Sequence, residues 1–255
     1  MFAGIIAAVG LLNLAVKGKL FSQTGFFMTV RAGSGFLTGK QESNGVFNGK
    51  DSYLLQDIAV PDEKELTGRL EAMKELRRAY PEIPFYMMLV PDAANILSDK
   101  LPSLAVTANQ REQFQEIQKK LKDDFVWVDV QAVLEKHKDE DIYYHTDSRW
   151  TTLGAYYGYQ QLMKDMETDI SEAPELKSYA VTGNFKGNLS FRSGYGSGYR
   201  EPIYIYSAKN PDEDVDTVIN YAAEDRKTAA PYDSRSLKGE EKYNVFFGGD
   251  FPVMD

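Results

Sequence analysis

The chain contains no cysteine among its 255 residues, and that absence removes disulfide staples, thiolate zinc sites and thiol nucleophiles together. Histidine is nearly absent too. With only His137 and His145, a histidine-rich metal centre is not expected, and no cofactor motif stands in its place. Basic excess is also missing. The formal net charge is −9, with 29 Lys and Arg against 38 Asp and Glu, which argues against a nucleic-acid partner, since such a partner requires a basic face. There is no internal repeat. What is plentiful is core material: hydrophobic residues make up 43% of the chain, with 16 Tyr and 14 Phe, enough for one sizeable packed domain.

Long apolar runs are confined to one place, Phe2 to Val16. It is shorter than the roughly 20 residues of a membrane-spanning helix and resembles the apolar region of a signal peptide. No Lys or Arg precedes it, and Lys17 and Lys19 follow it, the reverse of the usual charge order. Two readings stand: a buried N-terminal helix, or an anchor whose basic leader is missing. The expectation is the second, with residues 1–20 as a signal or anchor that contacts the membrane. Residues 21–41, which include the glycine-rich Gly25 to Gly39, read as a linker, and residues 42–255 as the folded domain.

Within that domain, Asn48-Gly49 lies between two short apolar runs and predicts a hairpin. Asp62 and Glu65 form a capping box for a helix whose inner face would carry Leu66, Leu70, Met73 and Leu76. Phe85 to Val90 and Phe125 to Val130 read as buried strands, with a second helix starting at Thr107 between them. This alternation predicts βαβ units and an α/β fold with a mainly parallel sheet flanked by helices. Thr151-Thr152 caps a further helix. Gly183 to Tyr199 reads as a long surface loop or as a sugar-facing one, and Ile203 to Tyr206, Val218 to Tyr221 and Tyr243 to Phe247 as short strands.

The densest chemistry lies in Tyr143-Tyr144-His145-Thr146-Asp147-Ser148-Arg149-Trp150-Thr151-Thr152-Leu153-Gly154-Ala155-Tyr156-Tyr157. This block resembles the signature of the DHHW family. The block from Glu42 to Asp51, the segments Val90 to Ala93 and Lys100 to Pro102, and the region Tyr232 to Asp250 resemble the same family in the same order. The resemblance implies an SGNH-like fold related to enzymes that O-acetylate exported polysaccharides. It implies an Asp-x-His pair as orienting carboxylate and base, with a downstream serine as nucleophile.

The physical reason for such a set is that a hydroxyl attacks poorly near neutral pH until an imidazole takes its proton. Asp147 matches the carboxylate position, but the base position is Arg149, and a guanidinium cannot accept that proton. The implied serine block would follow Gly248-Gly249-Asp250, but the sequence ends only five residues later, so the domain is expected to be incomplete at its C-terminus.

The candidate residues are therefore Asp147 and Arg149 at the family's catalytic positions, with Trp150, Tyr144 and His145 as substrate contacts. Two substitutes for the absent groups are available in the sequence, His145 as base and Ser52 as nucleophile. Asp147 and Trp150 can instead be purely structural, as a backbone acceptor and a core filler. The expected protein is exported or membrane-anchored at the cell surface, related to O-acetyltransferases and esterases but unable to catalyse. The alternative is a non-enzymatic carbohydrate-binding surface protein. In both readings an extracellular polysaccharide is the partner.

Overall fold

The computed structural model describes residues 41–171, 173–196, 198–210, 219–221, 226–228 and 231–249. The apolar run Phe2–Val16, the proposed linker up to residue 40, Val218 and Asp250 lie outside the described residues. Among the described residues, no helix is long and apolar enough to cross a membrane.

The domain is α/β. It opens with the hairpin of β1 (Val46–Asn48) and β2 (Leu54–Gln56), paired antiparallel through Phe47 and Leu55. The turn is longer than a two-residue Asn-Gly loop. It contains a 3-10 turn at Lys50–Ser52, with Asp51 and Ser52 at φ 53° and 67°. Gly49 itself has an ordinary φ of −79°. Glycine is needed there for a different reason: a Cβ would stand 2.7 Å from the Lys100 carbonyl oxygen.

Helix α1 (Glu63–Ala79) starts as the sequence predicts, with the Asp62 side chain accepting the Glu65 N–H at 2.8 Å. Its inner face is narrower than the periodicity suggests. Leu70 is buried, whereas Met73 and Leu76 are exposed, because neighbouring elements reach only the Leu70 edge. Strand β3 (Tyr86–Met87), helices α2 (Ala93–Ile96) and α3 (Gln110–Leu121), strand β4 (Val126–Trp127) and helix α4 (Val130–Lys136) follow. β3 and β4 pair in parallel, Tyr86 with Val126 and Met87 with Trp127, as the βαβ pattern requires. Helix α3 begins later than expected. Asn109 caps it, and the Thr107 hydroxyl oxygen accepts the Ile58 N–H instead.

Helix α5 (Thr152–Asp165) is capped by Thr151, as predicted. The Gly183–Tyr199 stretch is not one long loop. Its start completes β5 (Leu176–Phe185), and its middle forms α6 (Asn188–Ser193). The loop reading failed because the contacts that stabilise this turn of helix come from distant residues. β5 pairs antiparallel with β6 (Glu201–Ala208), and β7 (Ile219–Tyr221) with β8 (Arg226–Thr228). The sheet is therefore not mainly parallel: of the four two-stranded pairs among the described residues, only β3–β4 is parallel, and the other three are antiparallel. Tyr243 to Phe247, expected as a strand, is instead a 3-10 turn at Lys242–Val245 followed by an isolated bridge between Phe246 and Tyr232.

Two buried clusters fix the region that matters most. One gathers Phe47, Leu55, Ala94, Leu97, Leu134 and Tyr143, and the other Tyr144, Phe185, Ile203 and Val245. The segment 142–151 runs between them.

Candidate functional site

Residues 142–151 form a tight reversal between α4 and α5. Tyr143 and Trp150 face each other in a bridge, the Tyr144 N–H reaches the Arg149 carbonyl at 3.3 Å, and the Thr151 N–H reaches that of Ile142 at 2.9 Å. The tip of this reversal, His145 to Ser148, is held from three directions. From the hairpin, the Leu54 N–H donates to the His145 carbonyl at 2.7 Å. From α6, the Leu189 and Ser190 N–H groups donate to the Thr146 carbonyl. From β6, the buried Glu201 carboxylate accepts the His145 N–H at 2.7 Å, the Thr146 N–H at 2.8 Å and the Thr146 hydroxyl at 2.5 Å. Burial nevertheless raises the Glu201 carboxyl above its ordinary value.

Asp147 is 2% exposed. One carboxylate oxygen accepts the Asn188 N–H at 2.9 Å, and the other the Arg149 N–H at 3.1 Å. The Arg149 guanidinium lies 3.6 Å from Asp147 Oδ1 and 3.9 Å above the centre of the Tyr243 ring. These groups border a cavity of about 490 Å³ that Lys186, Asn188, Arg192 and Glu241 also line. A guanidinium is a cation with no lone pair to offer, so this cavity presents positive charge and no proton acceptor at that position.

Tyr144 and His145 line a different cavity, of about 370 Å³, formed with Thr152, Tyr199, Glu201 and Tyr204. The His145 ring is stacked on Tyr53, with centres 3.7 Å apart, and faces Tyr199 at 5.1 Å. Its Nδ1 lies 3.1 Å from the Asp51 carbonyl. A carbonyl only accepts, so Nδ1 bears the proton and Nε2 is the lone-pair nitrogen. Burial lowers the His145 pKa and keeps the ring neutral near pH 7. Among the described residues, neither imidazole has a serine as hydrogen-bond partner; His137 pairs with Glu140.

Trp150 lines neither of these cavities. It packs against α5, where a Cβ on Gly158 would stand 2.8 Å from its ring. Ser52 lies in the strained turn before Tyr53. The structure thus brings Asp147 and Arg149 together and separates them from Tyr144 and His145. Sequence reasoning missed Glu201 and the tyrosines at 204 and 206, and reached Asn188 and Tyr199 only as parts of the stretch Gly183 to Tyr199 that reads as a surface or sugar-facing loop. Only the alternating tyrosines of β6 carried a readable signal, since residues i and i+2 of a strand share a face.

Residues 46–194 match the family described as "SGNH hydrolase-like domain, acetyltransferase AlgX". Among solved structures, a DHHW family protein from Eubacterium siraeum is 20% identical, with a TM-score of 0.62 over 82% of this chain and 70% of that one. Bacillus cereus PatB1 carrying a sulfonyl adduct is 19% identical, with a TM-score of 0.61 over 82% of this chain and 71% of its own. At these identities the likeness is one of fold. No curated protein matches the chain in sequence.

Proposed function

The chain belongs to the family of SGNH hydrolase-like domains of the acetyltransferase AlgX, and from that premise we propose that it binds a glycan outside the cytoplasm at the Asp147–Arg149 cavity without transferring an acyl group there. The observation that carries this reading is Arg149. It occupies the position where the family resemblance implies the general base, and its guanidinium is charged, stacked on Tyr243 and turned toward a buried carboxylate. Asp147 has lost its orienting task and instead ties Arg149 to the start of α6 through the Asn188 N–H. The half-buried Arg149 and Lys186 side chains, both beside aromatic rings, supply donors for sugar hydroxyl or carboxylate oxygens. An extracytoplasmic location fits the apolar run at Phe2 to Val16.

Two assays test this. Hydrolysis of a simple acetyl ester by the 255-residue chain should stay at the uncatalysed rate, and Arg149→His alone should leave it there. Binding to exported polysaccharides, followed by affinity electrophoresis, should weaken about tenfold in Arg149→Ala, on the scale of one desolvated charged hydrogen bond. Turnover by the unmodified chain that disappears in His145→Ala or Ser52→Ala would overturn the reading.

A further inference from the structure

The second cavity has a chemistry of its own. Tyr204 and Tyr206 alternate along β6 and both line it, with Pro202 before them on the same face. Their neighbours point the other way: Ile203 is fully buried in the core, while Tyr204 is 45% exposed. Thr152 fixes this strand to α5 by donating its hydroxyl to the Tyr204 carbonyl at 2.6 Å. Tyr206 stacks on Tyr156, and Tyr199 covers His145 from the opposite side. Three tyrosine rings and a neutral imidazole therefore surround one space.

The charges around that space have one sign. Asp141 and Glu201 line it, and no lysine or arginine does among the described residues. Glu201 is spent on the backbone of residues 145 and 146, but the Asp141 carboxylate has no hydrogen bond or ion pair among the described residues. Its field nonetheless reaches the Tyr53, His145 and Tyr199 rings. The buried Tyr144 hydroxyl lies in the same wall, beside the Thr152 hydroxyl. The wall is preorganised. His145 is clamped by Glu201 through its backbone and by the strained Asp51 carbonyl through its ring, a conformation that costs free energy and is held by the surrounding structure.

From this arrangement we infer that the tyrosine-lined cavity binds a sugar residue carrying a free ammonium group, of the glucosamine type. The apolar face of a pyranose fits against the exposed Tyr204 ring. The hydroxyls of Ser178, Thr152 and Tyr199 and the Nε2 of His145 match a ring rich in hydroxyl donors. The ammonium is drawn to the unpaired Asp141 and to the faces of the tyrosines. An anionic sugar meets only negative charge here, whereas the Asp147 cavity offers it Arg149 and Lys186. The inference takes from the proposed function only the choice of a glycan as ligand, and it concerns a different site.

The test is calorimetric titration of the 255-residue protein with the β-1,4-linked glucosamine tetramer and with its fully N-acetylated counterpart. The free amine form should bind, and the N-acetylated form should bind about tenfold more weakly. Asp141→Asn and Tyr204→Ala should each weaken the amine form about five- to tenfold while keeping the wild-type melting temperature. Both side chains are exposed, which makes a folding defect a poor explanation for such a loss. No binding of the amine form at millimolar concentration would overturn the inference. So would equal binding of the two tetramers, or a loss seen in Arg149→Ala and not in Asp141→Asn. That last result would move the bound tetramer to the Asp147 cavity and leave the glycan-binding reading of that cavity standing.

Discussion

Glu201→Ala is expected to destabilise the domain by about 3–5 kcal/mol, among the largest losses available to a single side chain. The carboxylate accepts three hydrogen bonds, from the His145 N–H, the Thr146 N–H and the Thr146 hydroxyl. All are buried or half-buried, and an alanine leaves them without that acceptor. Each stranded donor costs about 1–3 kcal/mol, and partial relaxation of the loop recovers some of the sum. For a chain of this size, the loss corresponds to a fall in melting temperature on the order of 10 °C. A urea melt with an unchanged midpoint would show that the 145–148 reversal holds without this clamp.

The pH dependence of that loss has a definite sign. Burial raises the folded-state pKa of Glu201 above its ordinary value, in spite of the hydrogen bonds that favour the charged form. A group raised in the folded state contributes linkage stability that is fully present below its unfolded pKa and is lost as pH rises through its folded pKa. The gap between wild type and Glu201→Ala should therefore be wider at about pH 4 than at about pH 8. A gap that widens toward alkaline pH would mean that the carboxylate is stabilised in its charged form by the three donors.

What could be read from the sequence was local. The Asp62 and Thr151 caps require only a side chain three residues from the N–H it accepts, and both occur as expected. Parallel pairing of β3 with β4 followed from two apolar runs separated by a helix-length segment. The site was legible as a list of residues but not as a geometry. Tyr144 to Arg149 are consecutive, yet the reversal at His145–Ser148 sends Tyr144 and His145 into one cavity and Asp147 and Arg149 into another. A motif written along a line cannot display that separation. Glu201 was invisible for a related reason: it stands before Pro202 with no pattern around it, and its partners lie about 55 residues earlier. Trp150 reads in the sequence as a possible sugar contact, although Gly158 leaves the room that its ring needs against α5. The short helix α6 escaped detection because its glycine-rich surroundings suggest irregular backbone, whereas Thr146 and Asp147 accept its first N–H groups from across the fold.

Gly187→Ala should be at least as damaging to the Asp147 cavity as Glu201→Ala is to the whole domain. Gly187 has ordinary extended dihedral angles, φ −86° and ψ 175°, so backbone strain is no objection to a side chain there. The objection is space. A Cβ at this position would lie 2.4 Å from Asp147 Cβ, 2.5 Å from the Thr146 carbonyl oxygen and 2.6 Å from Asp147 Cα. Two of these atoms are backbone and cannot rotate away, so α6 and the 145–148 reversal must separate. That separation breaks the Gly187 N–H to Thr146 hydroxyl bond at 2.8 Å and the Asn188 N–H to Asp147 bond at 2.9 Å. Overpacking of a tight core contact costs about 1–3 kcal/mol, and the two lost hydrogen bonds add about 1 kcal/mol each. The expected total is about 3–5 kcal/mol, measured by chemical denaturation, together with loss of Arg149-dependent glycan binding. Gly183→Ala is the matched control. It lies on β5 four residues earlier, a Cβ there meets nothing within 4 Å, and its effect should stay within about 0.5 kcal/mol. If the two alanines prove equally mild, then Asp147 and α6 are not in the close contact that keeps Arg149 in place.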